Sequence, residues 1–124
     1  MSNTRVWLLS HNFRPIWAGP AERFSRYAPL LEKNGVEFTI MTAMRAHQPA
    51  QEFIPGAQVR RLGPDCDIPE SSKEFMIRAL TLARTERPKT ILMLAAEVSH
   101  IPYILVLRAL GIKVIYVSTM ALEF

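Results

Sequence analysis

Residues with chemistry to offer gather in two short stretches of this chain. The first, SHNFRPIWAGPAERF from Ser10 to Phe24, holds His11, Arg14, Trp17 and Glu22 around a proline- and glycine-punctuated segment. The second follows an apolar run and holds Glu97 and Ser99. A cation at His11 or Arg14 suits a phosphate or a sugar hydroxyl, and either residue serves equally as a solvated loop group bonded to backbone. Trp17 offers a flat indole face to a sugar ring, or a lid over the core beneath it. Glu97 can accept from sugar hydroxyls or simply favour the start of the helix after it, and Glu22 is a helix-surface residue compatible with the dipole. His47, Cys66 and His100 show no ligand spacing, so no metal site is expected. Arg60 and Arg61 read as a solvated pair.

Both stretches follow segments that must be strands. Val6 to Leu9 is too short for a helix and apolar without alternation, which predicts a strand over residues 5–10 covered on both faces. A helix is expected from Pro20 or Ala21 to Asn34, with Phe24, Ala28 and Leu31 recurring on one side and Gly35 as the stop. Pro29 lies deep within it and costs a regular helix about 3 kcal/mol, so a kink near Ser25 or an irregular early turn is expected. Residues 36–43 read as the second strand, 44–55 as a long loop, 59–62 as a short third strand and 65–69 as another loop. Ser71 with Glu74 three residues on makes a capping box for a helix over residues 72–85, closed by Pro88.

Residues 90–95 form the fourth strand. Ser99 then caps a short helix with Pro102 in its first turn and Gly111 as its stop, apolar on nearly every side and so expected between other layers. Residues 113–118 make the fifth strand. The alternation predicts an α/β fold: a doubly wound parallel sheet of order 3-2-1-4-5, Rossmann-like, in three αβα layers. In such a sheet the loop leaving the first strand lines the ligand crevice, and the helix start beyond it offers N–H groups to an anion. The last strand is left with an uncovered edge, which points to a longer protein or a partner at that side.

At 124 residues, 49% of them hydrophobic, the chain holds one domain with an adequate core. One cysteine excludes an internal disulfide, no export signal opens the chain, and a cytoplasmic setting is expected. The net charge of +4 is scattered, without the basic stripe and interleaved aromatics of a nucleic-acid binder. The longest apolar stretch, residues 101–110, is about half a membrane span. Basic residues with Trp and Phe on one helix face leave peripheral membrane contact as a minor reading.

Taken together, the apolar strand, Phe13, Pro15, Gly19, Glu22 and Arg23, the helix ending at Gly35 and a strand with Thr39 and Thr42 resemble the opening of a family-four, GT-B-fold glycosyltransferase. That opening reads approximately F-x-P-x-x-x-G-G-x-E-R, and the likeness is good over residues 5–43 and holds only in element order beyond. The resemblance implies an N-terminal, acceptor-side domain of a two-domain enzyme. Such an enzyme moves a sugar from a nucleotide-diphosphate donor with retention and without a metal or other cofactor, and its donor-binding C-terminal domain lies outside this chain. It also implies a donor-phosphate loop at Ala18, Gly19 and Ala21, and sugar or acceptor contacts among His11, Arg14, Trp17, Glu22, Glu97 and Ser99. Pro20 stands where the family has its second glycine, keeping the helix start without an N–H to donate. Thr119, Met120 and Ala121 stand where the family often has a histidine. The rival reading is a stand-alone flavodoxin-like or regulatory binding domain, though Ser10, His11 and Asn12 are not the paired acids of a receiver and Gly19 alone is not a dinucleotide fingerprint.

Overall fold

Four consecutive apolar residues cannot sit at a surface strand, and the computed structural model places them in the middle of the sheet. It describes residues 4–11, 13, 19–65, 68, 70–94 and 100–117. Strand β1 (Thr4–Leu9) pairs in parallel with β2 (Val36–Ala43) on one side and β5 (Thr90–Leu94) on the other. Beyond β2 lies β4 (Ala57–Leu62), also parallel, and beyond β5 lies β6 (Lys113–Val117), parallel again. The five parallel strands thus stand in the expected order. A sixth, β3 (Gln51–Ile54), adds antiparallel to β4, so the full order is β3-β4-β2-β1-β5-β6.

Strand β3 corrects the reading of residues 44–55 as loop throughout. Its four residues, between Pro49 and Pro55, have no hydrophobic period of their own and hold their shape by pairing with β4 through the turn at Pro55 and Gly56. The hairpin also corrects the solvated-pair reading of Arg60 and Arg61. Successive strand residues face opposite sides, so Arg61 turns under the sheet, where its side chain is 1% exposed. There Nη1 pairs with Glu52 at 2.9 Å and donates to the Pro49 carbonyl at 3.1 Å. Arg60 turns to the other face and meets Glu86 at 2.8 Å.

Helix α1 (Gly19–Lys33) covers one face, packing Ala21 and Ala28 on Leu8, Phe38, Ile40, Ala57 and Val59, with Phe13 beneath. It is helical through Pro29 without a break, in place of the expected irregular turn, and Ser25 Oγ donates to the Glu22 carbonyl at 2.6 Å. The hairpin turn lies against this part of the helix: a Cβ added at Gly56 would run into the backbone of Ala28 and Pro29. Helix α2 (Ser72–Glu86) covers the other face with Phe75, Met76, Ala79 and Ala83 on Trp7, Leu9, Met41, Ile91 and Met93. The capping box is formed, and Arg87 ends the helix in the left-handed region one residue before Pro88.

Helix α3 (Ile101–Ala109) packs on the same face as α2, burying Leu107. Its cap position is His100, not Ser99, and Ser99 lies outside the described residues. Pro102 falls in its first turn and Gly111 follows it at positive φ, as expected. The expectation that other layers enclose this helix is not met. Ile101, Leu105 and Val106 are exposed, as are Ile115 and Tyr116 on β6, because among the described residues nothing stands beyond that strand.

Two glycines at similar φ, Gly35 at 79° and Gly56 at 83°, separate backbone conformation from close approach, since nothing lies within 4 Å of a Cβ at Gly35. Gly35→Ala is expected to lose about 1 kcal/mol, the cost of a left-handed residue with a side chain. Gly56→Ala adds a collision with helix backbone and is expected to lose at least about twice that. Urea unfolding with unchanged m-values measures both; equal midpoint shifts would show that the approach of the turn to α1 is not a constraint.

Candidate functional site

The strand order reverses between β1 and β5, the point at which open α/β sheets generally form a ligand crevice beyond the carboxyl ends of their strands. Two histidines flank it in the sequence: His11 follows β1 and His100 precedes α3. The placement of His11 is an extension of the sheet. Ser10 N–H donates to the Met41 carbonyl at 3.0 Å, and the His11 carbonyl accepts from Ala43 N–H at 3.3 Å and from Thr42 Oγ1 at 3.1 Å. The β1–β2 ladder therefore continues two residues past the strand and carries the imidazole with it.

On the ring itself, Nε2 lies 2.6 Å from the Glu70 carbonyl, and Phe75 meets it edge to face with centroids 5.8 Å apart. A carbonyl can only accept, so Nε2 carries a proton. In the neutral ring Nδ1 is then the basic nitrogen, and any proton that His11 takes from a ligand goes there.

The start of α2 ties both histidines to one structure. Glu70 holds His11 through its carbonyl, and Ser72 Oγ shares a 2.9 Å hydrogen bond with Nε2 of the buried His100. Between them Ser71 closes the capping box, its Oγ accepting from Glu74 N–H at 3.2 Å. That bond already uses one of the donors at the head of α2, which an anion would otherwise claim. The Glu70 carboxylate is gripped by the fork of Arg78, through Nε and through Nη2 at 3.2 Å. The Arg78 guanidinium holds the Glu70 carboxyl below its usual range. Stability from this pair is present above the ordinary glutamate pKa and is lost as pH falls through the lowered one.

Of the residues singled out in the sequence, His11, Gly19, Ala21 and Glu22 are described and stand at the carboxyl edge of β1 or in the first turn of α1. Gly19 is the first helical residue, and Glu22 is half-buried in the first turn. The Ala21 side chain is wholly buried in the core, so only its backbone can meet a ligand. Arg14, Trp17, Ala18, Glu97 and Ser99 lie outside the described residues, as do Cys66 and residues 118–124. Glu70, Ser72 and His100 were not selected from the sequence. The signal for the first two was the capping box beside them, while the Ser72–His100 contact spans 28 positions and leaves no local trace. No group of three metal-ligating side chains occurs among the described residues, and no described helix is long and apolar enough to cross a membrane.

The mostly parallel sheet, the helical layers on its two faces and the reversal of strand order between β1 and β5 define a Rossmann-like α/β domain. One solved structure that it matches is sucrose-phosphate synthase from Thermosynechococcus elongatus, with a TM-score of 0.66 and 15% identity over 94% of this chain. The match spans 32% of that protein, about a third of its length. No protein-family description and no curated protein matches the sequence.

The geometry at His11 makes a direct expectation. Long-range ¹H–¹⁵N spectra should show a proton on Nε2 of the ring; a ring protonated at Nδ1 alone would mean that the bond to the Glu70 carbonyl is absent.

Proposed function

We propose that this chain is the acceptor-side domain of a retaining glycosyltransferase that moves a sugar from a nucleotide-diphosphate donor to an acceptor hydroxyl. The observation that carries the reading is the position of His11 and the first turn of α1, both at the carboxyl end of β1 in a fold shared with a glycosyltransferase. The family-four opening in residues 5–43 supports it. In this reading the crevice aligns the acceptor while the start of α1, from Gly19 on, turns its positive dipole end to the donor phosphates. Catalysis is then mainly electrostatic, the departing diphosphate being held by fixed donors without a metal. His11 Nδ1 is placed to take a hydrogen bond from a hydroxyl of the acceptor.

A second, donor-binding domain completes the enzyme. The exposed apolar residues of α3 and β6, which ordinary surfaces seldom group together, support further protein at that side. The 124 residues alone are therefore expected to bind without turning over.

Titration of the chain with a panel of nucleoside-diphosphate sugars, followed by amide NMR, tests this. Saturable shifts at residues 10–11 and 19–22, unchanged by chelator and without sugar transfer, are expected. Transfer by the isolated chain would refute the division of labour between two domains. Tight binding of a flavin in place of the nucleotide sugars would favour a stand-alone binding domain.

A further inference from the structure

Away from the crevice, an open pocket of about 590 Å³ lies between the end of β4 and the outer side of α2. Arg60 from the strand and Arg78 from the helix both line it, together with Glu70, Glu74, Ile77 and Leu82. The sugar-transfer reading does not use it. We propose that this pocket is a second ligand site, for a small phosphate-bearing molecule held between Arg60 and Arg78, and that its occupancy is communicated to His11 through Glu70.

The chemistry of the lining supports a phosphate dianion. Two guanidinium groups from different elements offer planar forks, which match phosphate oxygens in pairs. Each is at present engaged by a carboxylate, Arg60 by Glu86 at 2.8 Å and Arg78 by Glu70, with side chains 21% and 47% exposed. A guanidinium has five N–H donors, and the carboxylates take one from Arg60 and two from Arg78, so a dianion bridging both arginines has further donors to meet as it competes with Glu86 and Glu70. Ile77, 46% exposed on a helix otherwise anchored by its apolar side, supplies a surface for the carbon skeleton.

The link to the crevice runs through a single residue. The Glu70 carboxylate bonds Arg78 and rests where a Cβ at Gly63 would be, while its carbonyl accepts from His11. A phosphate that takes Arg78 strips Glu70 of its cation beside a new negative charge. Repulsion then moves the Glu70 segment, and the bond to the His11 ring loosens.

Inorganic phosphate is the probe, added to the 124-residue chain at constant ionic strength with chloride as the balancing anion. The Arg78 Nε–H and His11 Cε1–H resonances are expected to shift together and saturably. Arg78→Gln should abolish the saturable phase, with Arg60→Gln as the second variant should the first fold poorly. Glu70→Gln, which removes the competing carboxylate, should tighten phosphate binding roughly tenfold. A shift linear in phosphate, or one confined to residues 19–22, overturns the site, the latter while leaving the sugar-nucleotide reading intact. Saturation at Arg78 with His11 unmoved overturns the link, and unchanged affinity in Glu70→Gln overturns the competition.

Discussion

Parallel pairing on both sides of β1 is the constraint on which the rest of this structure depends. Val6 to Leu9 have partners in β2 and β5 at the same positions, while Trp7 and Leu9 point into one core and Leu8 into the other. A slip of one residue would exchange those side chains between two cores of different shape. The strand therefore has one register, and so does everything at its carboxyl end. That is why His11, half-exposed and beyond the strand, is held by backbone and by Thr42 as firmly as a strand residue.

The charged groups follow from the same frame. Because β4 alternates, one arginine goes to each face, and each finds a carboxylate on an element reached through a different connection: Glu52 on the hairpin partner for Arg61, Glu86 at the far end of α2 for Arg60. Arg61 is the costly case, a buried cation whose charge is offset by the carboxylate of Glu52 and by the Pro49 carbonyl. Glu70 plays a different part, joining the head of α2 to the end of β1 through its main chain and to the middle of α2 through its side chain.

What was legible in the sequence was whatever repeats or caps locally. The unbroken apolar runs of β1 and β5 announce interior parallel strands, and Ser71 with Glu74 fixes the start of α2 to the residue. The order of the five parallel strands followed from right-handed crossovers. Strand β3 was not legible by periodicity, since Gln-Glu-Phe-Ile carries none, although the Pro55-Gly56 turn signal was present. Helix α3 shows the limit of composition: a helix apolar all round can be enclosed, or can present one side that its own described neighbours leave bare. At the site, the placement of His11 was readable because it adjoins a strand. The meeting of Ser72 with His100 depends on how α2 and α3 lie together, which no local pattern records.

The hairpin gives the sheet two unlike borders. On one, β3 is four residues long, runs against its neighbour and is bracketed by Pro49 and Pro55, neither of which has an amide hydrogen to share. On the other, β6 presents a parallel strand with apolar side chains exposed beside it. Lateral growth of the sheet is thus one-directional. Among the described residues, a strand that docks at β6 finds a template, whereas the opposite border, short and closed by prolines at both ends, does not favour one, so stacking of molecules head to tail into a filament is hindered at every step.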